Sequence, residues 1–356
     1  MANAGEMRIS AEALTRFTVE ALKKLDVPDD EAKMVADVLV LADLRGVDSH
    51  GVARLNNYVE AIEKGYIVRK AQLKVLSEWP AIARLDGCNS LGQVVGIWAM
   101  KRCLDMAEKA GSACVTVTNS RHYGIAGYYA MMALERDMIG ISMTNSRPWV
   151  APTFGSKAIL GTNPIAMAVP AGKERPWVLD MATSTIPIGK VEVAQRLGKP
   201  LREGVAIDSS GQVTRDPDAV YKGGALLPLG GTAETAGYKG YDLSVLVDIL
   251  SGVLSAASYS ANISNVWGLS PIGHFFMAVR IDAVRPVDEF KAMMDQMIRD
   301  LKESPKAVGQ DRILVAGEPE FETEAIRRRE GIVLPPKVAQ TLRDMGQRLG
   351  VSGILP

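Results

Sequence analysis

The chain has 356 residues, enough for two domains or one large one with an ample core. Its 41 basic and 41 acidic side chains cancel, which leaves no electrostatic footprint for nucleic acid or an anionic membrane. Apolar and charged contents of 47% and 23% are those of an ordinary soluble protein; the three cysteines, Cys88, Cys103 and Cys114, lack metal-type spacing, so we expect free thiols in a reducing compartment and no metal site.

Met1 to Arg8 has no apolar signal core, which predicts a cytoplasmic protein. Arg8-Ile9 reads as a short strand, and Ser10 caps a helix to about Lys24 with Leu14, Phe17 and Leu22 on its apolar side. A second helix runs from Asp29 to Leu44 and is broken by Arg45-Gly46-Val47. Asp48 or Ser49 can then cap a third, whose apolar stripe is Val52, Leu55, Val59 and Ile62. On that helix His50, Arg54 and Tyr58 fall four apart, on one face. A helix N-terminus would keep His50 neutral, and the Arg54 fork fits a carboxylate. An imidazole beside such a clamp suits a small 2-hydroxy or 2-oxo acid. A capped surface helix that merely carries a histidine and an arginine would show the same spacing. With this third helix the helical N-terminal part ends near Gly65.

Leu73 to Leu85 reads as two strands around Trp79-Pro80, and Gly92 to Ala110 as a helix stopped by Gly111. Two β-branched runs follow, 113–121 and 139–147, and both end in Thr-Asn-Ser-Arg. Ile125 to Arg136 between them is helical, so a β-α-β unit with two parallel neighbouring strands is predicted. Their polar ends would lie side by side as a site wall, with Asn145 and Ser146 in it; two similar strand ends with plain turn chemistry are the alternative. Of three histidines, His50 and His122 sit at polar, glycine-flanked helix starts, whereas His274 precedes the apolar strand 275–281 and reads as structural. Asp180, inside the apolar run from Trp177 to Ser184, needs a partner and is a site candidate. A helix covers Val191 to Leu197, and Arg202 to Tyr221 is irregular. Gly237-Tyr238-Lys239-Gly240 opens a helix over 243–256, where amides, glycines and a lysine favour an anion such as pyrophosphate, or form an ordinary connection. The apolar stretch 243–257 is too short to span a bilayer. Helices at 288–303 and 335–349 complete the chain, with the segment 313–320 between them. No two glycines are separated by one residue, so the G-x-G of a Rossmann fingerprint is absent, as are P-loop, H-E-x-x-H and G-x-S-x-G motifs.

Taken together, 43–55 (Asp-Leu-Arg-Gly-Val-Asp-Ser-His-Gly-Val-Ala-Arg-Leu), 119–124 (Asn-Ser-Arg-His-Tyr-Gly), Gly161-Thr162-Asn163-Pro164, 179–184 (Leu-Asp-Met-Ala-Thr-Ser) and 237–240 resemble the type-2 malate/L-lactate dehydrogenase family, in the same order and over nearly the whole chain. That family includes L-sulfolactate and ureidoglycolate dehydrogenases, 2,3-diketo-L-gulonate reductase and Δ1-piperideine-2-carboxylate reductase. The resemblance implies an α/β, non-Rossmann, L-sulfolactate dehydrogenase-like fold: a helical region, 1–112 completed by 275–356, and a mixed-sheet NAD(P)-binding domain, 113–274. It implies a homodimer that moves hydride between NAD or NADP and C2 of a small 2-hydroxy or 2-oxo acid. A reductase of cyclic imino acids using NADPH, or a non-catalytic binding protein on the same fold, are the alternatives. By motif, Ser49, Arg54, Tyr58 and Asn145 would bind substrate, and His50 or His122 would be the acid/base. His122, Ser146, Asp180, Met181, Ala182, Thr183, Lys239, Gly240, Gly317 and Glu318 would contact the cofactor. The ureidoglycolate branch has a lysine after the second of the paired strands, whereas this chain has Ser146 and Arg147, which argues against that substrate.

Overall fold

The apolar stripes of the first three helices pack chiefly into one helical core. The computed structural model describes residues 7–355. Strand β1 (Met7–Ile9) leads into α1 (Ala11–Lys23), α2 (Asp29–Leu44) and α3 (Leu55–Glu63). The Ser10 hydroxyl accepts from the Ala13 N–H at 3.2 Å, the expected cap. Leu14, Phe17 and Leu22 of α1 are buried with Val35 and Leu39 of α2 and Leu55, Val59 and Ile62 of α3. The far end of the chain closes this core: β11 (Ile332–Leu334) pairs antiparallel with β1, and α11 (Pro336–Leu349) adds Ala339, Leu342 and Met345.

The second layer is a seven-stranded mixed sheet. It holds β2 (Lys74–Trp79), β3 (Ile82–Asp86), β4 (Ser112–Ser120), β5 (Met138–Thr144), β6 (Ile165–Val169), β7 (Trp177–Met181) and β10 (Ile272–Arg280), in the order β2-β3-β4-β10-β5-β6-β7. Helices α4 (Gly92–Ala110) and α5 (Ala126–Met131) pack on it through a core that includes Val95, Met100, Val115, Val117, Tyr129 and Phe276. A smaller unit surrounds the two-stranded β8 (Ala206–Ile207) and β9 (Ala225–Leu226), flanked by α6 (Ile188–Arg196) and α7 (Pro217–Tyr221). Helix α8 (Gly237–Asp248) continues as a π turn, and α9 (Val287–Glu303) and α10 (Glu318–Glu330) follow. No helix among the described residues is long and apolar enough to cross a membrane.

Three expectations need correcting. Strands β4 and β5 are not neighbours: β10 lies between them, antiparallel to both. The crossover through α5 leaves one place open, and the apolar Phe275–Val279 run fills it. His274 then ties the strand ends, its Nε2 2.7 Å from Ser120 Oγ and its Nδ1 2.8 Å from Thr144 Oγ1. Burial holds its pKa down to about 3, so it is a neutral structural pin. The boundary drawn at 274 falls inside β10, and α4 and β2–β3, placed with the N-terminal part, belong to the sheet layer. Finally, 318–330 is a helix. It buries no residue, so it carries no apolar stripe that could announce it.

Candidate active site

The segment after α2 is the hinge of the site. Asp48 to Arg54 forms two short 3₁₀ turns, Asp48–His50 and Val52–Arg54, and the α-helix begins only at Leu55. Neither Asp48 nor Ser49 caps a helix with its side chain. The cap comes from elsewhere: the buried Asp43 carboxyl of α2 accepts from the Val52 N–H at 2.8 Å. Gly51 is required here, since a Cβ would lie 1.9 Å from Asp43 Oδ1. Arg327 of α10 binds Asp48 and the Asp43 carbonyl, fixing the turn from outside.

The turns bring the expected side chains together, though not as one helical face. Arg54 Nε donates to the Ser49 carbonyl at 2.8 Å, and Ser49 Oγ lies 2.9 Å from His50 Nδ1. His50 stacks on His122, with centroids 5.5 Å apart. The Tyr58 hydroxyl is 2.6 Å from His122 Nδ1, and Trp267 meets the Tyr58 ring edge-on at 5.0 Å. Both histidines are neutral. Removal from water and the neighbouring Arg54 charge lower His50 to about 4. His122 is held well below the ordinary value by burial, then by His50, Arg54, His274 and Arg147. The expected neutrality of His50 is therefore met by burial and Arg54 rather than by a helix N-terminus.

Two cavities meet at this hinge. A chamber of about 130 Å³ is lined by His50, Arg54, Arg121, His122, Ser146, Arg147 and Trp267. Glu192 is its one carboxylate among the described lining residues. Arg147 lies over the Trp149 ring at 4.7 Å and donates to the Asn265 carbonyl at 2.5 Å. Arg121 is spent on the Tyr66 and Ser120 carbonyls. A crevice of about 690 Å³ opens alongside, lined by Ser49, Gly124–Gly127, Asp180, Met181, Ala182, Gly317 and Glu320. Chamber and crevice share His50, Thr162 and Pro187. Asp180 finds its partner in the Gly127 N–H at 2.7 Å, and the protein atoms that displace water around its carboxyl raise it to about 6, although the residue still opens to the crevice. The crevice, of about 690 Å³, shares His50, Thr162 and Pro187 with the small cationic chamber, and a volume of that size with glycine-rich walls fits a dinucleotide.

Other expected residues lie elsewhere. Asn145 is fully buried, its amide bound to Asp248, the Ser258 carbonyl and the Gly273 N–H. Thr183 is also buried, donating to the Thr162 and Asn163 carbonyls. Glu318 is turned to Lys302 and the Val315 N–H. Lys239 is exposed and outside the crevice lining, while Gly240 supports the crevice wall by packing on the Leu229 backbone. Sequence reasoning misses Pro187 and Trp267, which come from loops whose residue types advertise nothing, and it reads Thr162 only as part of a family-like turn. Arg147 is visible in the sequence as the end of a repeated strand pattern and as a departure from the ureidoglycolate branch, not as a chamber residue.

Fold and site together define a two-cavity α/β protein with a stacked histidine pair beside two guanidinium groups that, among the described residues, no carboxylate pairs. The chain matches the malate/L-lactate dehydrogenase family over residues 9–343. It is 50% identical over 350 residues to a malate dehydrogenase of Pyrococcus abyssi, covering 98% of this chain and 96% of that one. It is 36% identical over 348 residues to an L-sulfolactate dehydrogenase of Methanocaldococcus jannaschii, covering 97% and 98%. The solved malate dehydrogenase of Pyrococcus horikoshii superposes with a TM-score of 0.91 at 46% identity, covering 99% and 98%. The chain belongs to the malate/L-lactate dehydrogenase family and is an oxidoreductase acting on small 2-hydroxy acids.

Proposed function

We propose that the chain transfers hydride between NAD or NADP and C2 of a dianionic 2-hydroxy acid, with malate the first substrate to test. One observation carries this. Arg54 and Arg147 line the same small chamber, and among the described residues neither is ion-paired with a carboxylate. Each lowers a neighbour's pKa by its charge, Arg54 that of Arg147 and both that of His122. Two such cations call for two anionic groups. Lactate has one, malate two.

In this reading Arg54 grips the C1 carboxylate and Arg147 the distal one. His122, backed by Tyr58 and facing the chamber, takes the C2 hydroxyl proton on oxidation and returns it on reduction. His50 stands at the junction of the cavities and orients the ring that reacts there. Ser49, Asp180, Met181, Ala182 and Gly317 line the crevice that would hold the dinucleotide. The nicotinamide, when bound, supplies or accepts the hydride. A substrate dianion neutralises the arginines, so it also lifts His122 toward the range in which it can carry a proton.

A homodimer is proposed as the working form. An apolar groove of about 700 Å³ supports it, where Val284, Met293, Met297 and Leu301 stay exposed beside Val279 and Ile281. The test of function is a panel of malate, oxaloacetate, lactate, pyruvate and a cyclic imino acid with both cofactors. Turnover of malate or oxaloacetate at least about tenfold above the monoacids is expected; preference for lactate or the imino acid would overturn the dianion assignment.

A further inference from the structure

We infer that Glu192 limits the reach of the acid that the chamber accepts: a distal carboxylate that stops at Arg147 is admitted, and one that extends past it is repelled. This rests on the dianion reading proposed above. Glu192 lies on α6, and that helix is held from several sides. Val191 is buried in the core that contains Val150, Leu160 and Val220, with Trp149 packed against it. Gly189 runs so close to the turn that carries His50 that a Cβ there would lie 3.1 Å from the Ser49 Cβ. Gln195, one turn on from Glu192, donates to Asp218 of α7 at 2.7 Å. Val191 is the only buried residue of the helix. Glu192 lines the chamber and yet stays exposed, so it stands where the chamber opens to water.

An exposed glutamate is ordinarily a solvated surface charge. This one faces a small space whose other charged lining residues are all arginines, Arg54, Arg121 and Arg147. Among the described residues it is ion-paired with none of them, so both clamps remain free for a ligand. Its place is at the Arg147 end. Arg147 lies over the Trp149 ring at 4.7 Å, and Trp149 packs on the core that holds Val191, the neighbour of Glu192. In keeping with this, the Glu192 charge opposes the lowering that burial and Arg54 impose on Arg147. Two carbons separate the carboxylates of malate, and three separate those of 2-hydroxyglutarate. A chamber of about 130 Å³ leaves little room to fold the extra methylene away, so the longer acid presses its distal carboxylate toward the mouth and Glu192. One methylene alone discriminates modestly. A like charge set against the wrong ligand adds to it.

The test compares wild type, Glu192→Gln and Glu192→Ala in the reduction of pyruvate, oxaloacetate and 2-oxoglutarate. Melting curves confirm that each variant folds, as an exposed helical position should allow. Glutamine keeps the size and removes the charge. In Glu192→Gln the oxaloacetate-to-2-oxoglutarate ratio of kcat/KM should fall at least about tenfold, chiefly through a lower KM for 2-oxoglutarate, with pyruvate within about threefold. Succinate and glutarate, which do not react, should show the same change in relative affinity as inhibitors. A ratio unmoved by Glu192→Gln overturns the inference. So does a ratio that moves only in Glu192→Ala, which would make the side chain a steric stop, or an equal gain for both diacids, which would make it a general counter-charge. Wild type that prefers pyruvate to oxaloacetate overturns the dianion reading, and the inference with it, before any variant is made.

Discussion

The two cavities that meet at His50 are built on opposite plans. The small chamber gathers two histidines, the guanidinium groups of Arg54 and Arg147 and two tryptophans, with Tyr58 bound to His122 behind it. The larger crevice draws on the first turn of α5, the end of β7 and the turn before α10, where glycines and alanines stand among larger apolar and charged side chains. The difference teaches what each must recognise. A small anion offers few atoms, so each must meet a charged or proton-bearing partner. On the reading proposed above, a dinucleotide offers many, so shape and numerous weak contacts suffice.

The sharpest break between the plans is expected at the histidines. His122→Asn should lower kcat about 10²–10⁴-fold, with little change in the dinucleotide KM. His50→Asn, at the shared wall, should raise the dinucleotide KM and cost less in kcat. Steady-state kinetics on both decides; the opposite pattern would make His50 the acid/base. Next comes Arg54→Ala. Losing one partner of a buried charge pair costs about 2–5 kcal/mol, so kcat/KM for malate should fall at least about 30-fold. A neutral carbonyl compound assayed in parallel should lose far less.

The same contrast explains what can be read from the chain. His50, Arg54, Tyr58 and His122 stand out because their chemistry is rare: only three histidines exist in 356 residues. Their convergence follows from the sequence for a mistaken reason, since 3₁₀ turns held by Asp43 and Arg327 replace the single helical face. A carboxyl nine residues upstream and an arginine some 280 residues downstream leave no local pattern. The crevice is less legible still. Ala182 and Gly317 signal nothing by type, and the usual glycine fingerprint is absent. Lys239, the residue that does look like an anion ligand, is exposed outside the lining. Local elements such as α1, α2 and α4 are plain from periodicity and caps. The insertion of β10 between β4 and β5 is not, because sheet order is a long-range property that two look-alike strand ends misrepresent.

Smaller effects sharpen the comparison. Arg147→Gln should leave lactate turnover within about threefold but lower the malate-to-lactate ratio of kcat/KM by about 10–100-fold, the worth of one charge-assisted contact. An unchanged ratio would remove Arg147 from the site. On the crevice side, Gly317 has φ of +88°, and a Cβ there would lie 2.9 Å from the Val178 Cβ. Gly317→Ala should therefore cost about 1–3 kcal/mol of stability and raise the dinucleotide KM, while the malate-to-lactate ratio stays put. A shift in that ratio would mean that the cavities are not separable.

The mildest effect concerns the tie beneath the turn that carries His50 and Arg54, and pH exposes it. Asp43 is buried, accepts from the Val52 N–H, and has its carboxyl raised to about 8, chiefly by burial and with Asp48 adding to it. The folded state therefore holds a proton that the unfolded chain releases near 3.8. Stability from this group is complete below that pH and declines as pH rises through the interval to about 8, beyond which the penalty is constant. An asparagine side chain in its place would keep an acceptor for Val52 without a proton to lose. In melting curves the advantage of Asp43→Asn over wild type should grow from about pH 5 to about pH 8 and then level off, reaching about 3 °C or more. Activity at neutral pH should change little, because the turn that carries His50 and Arg54 keeps its tie. A pH-independent difference in melting would show that Asp43 is ionised in the fold, with Arg327 rather than burial setting its state.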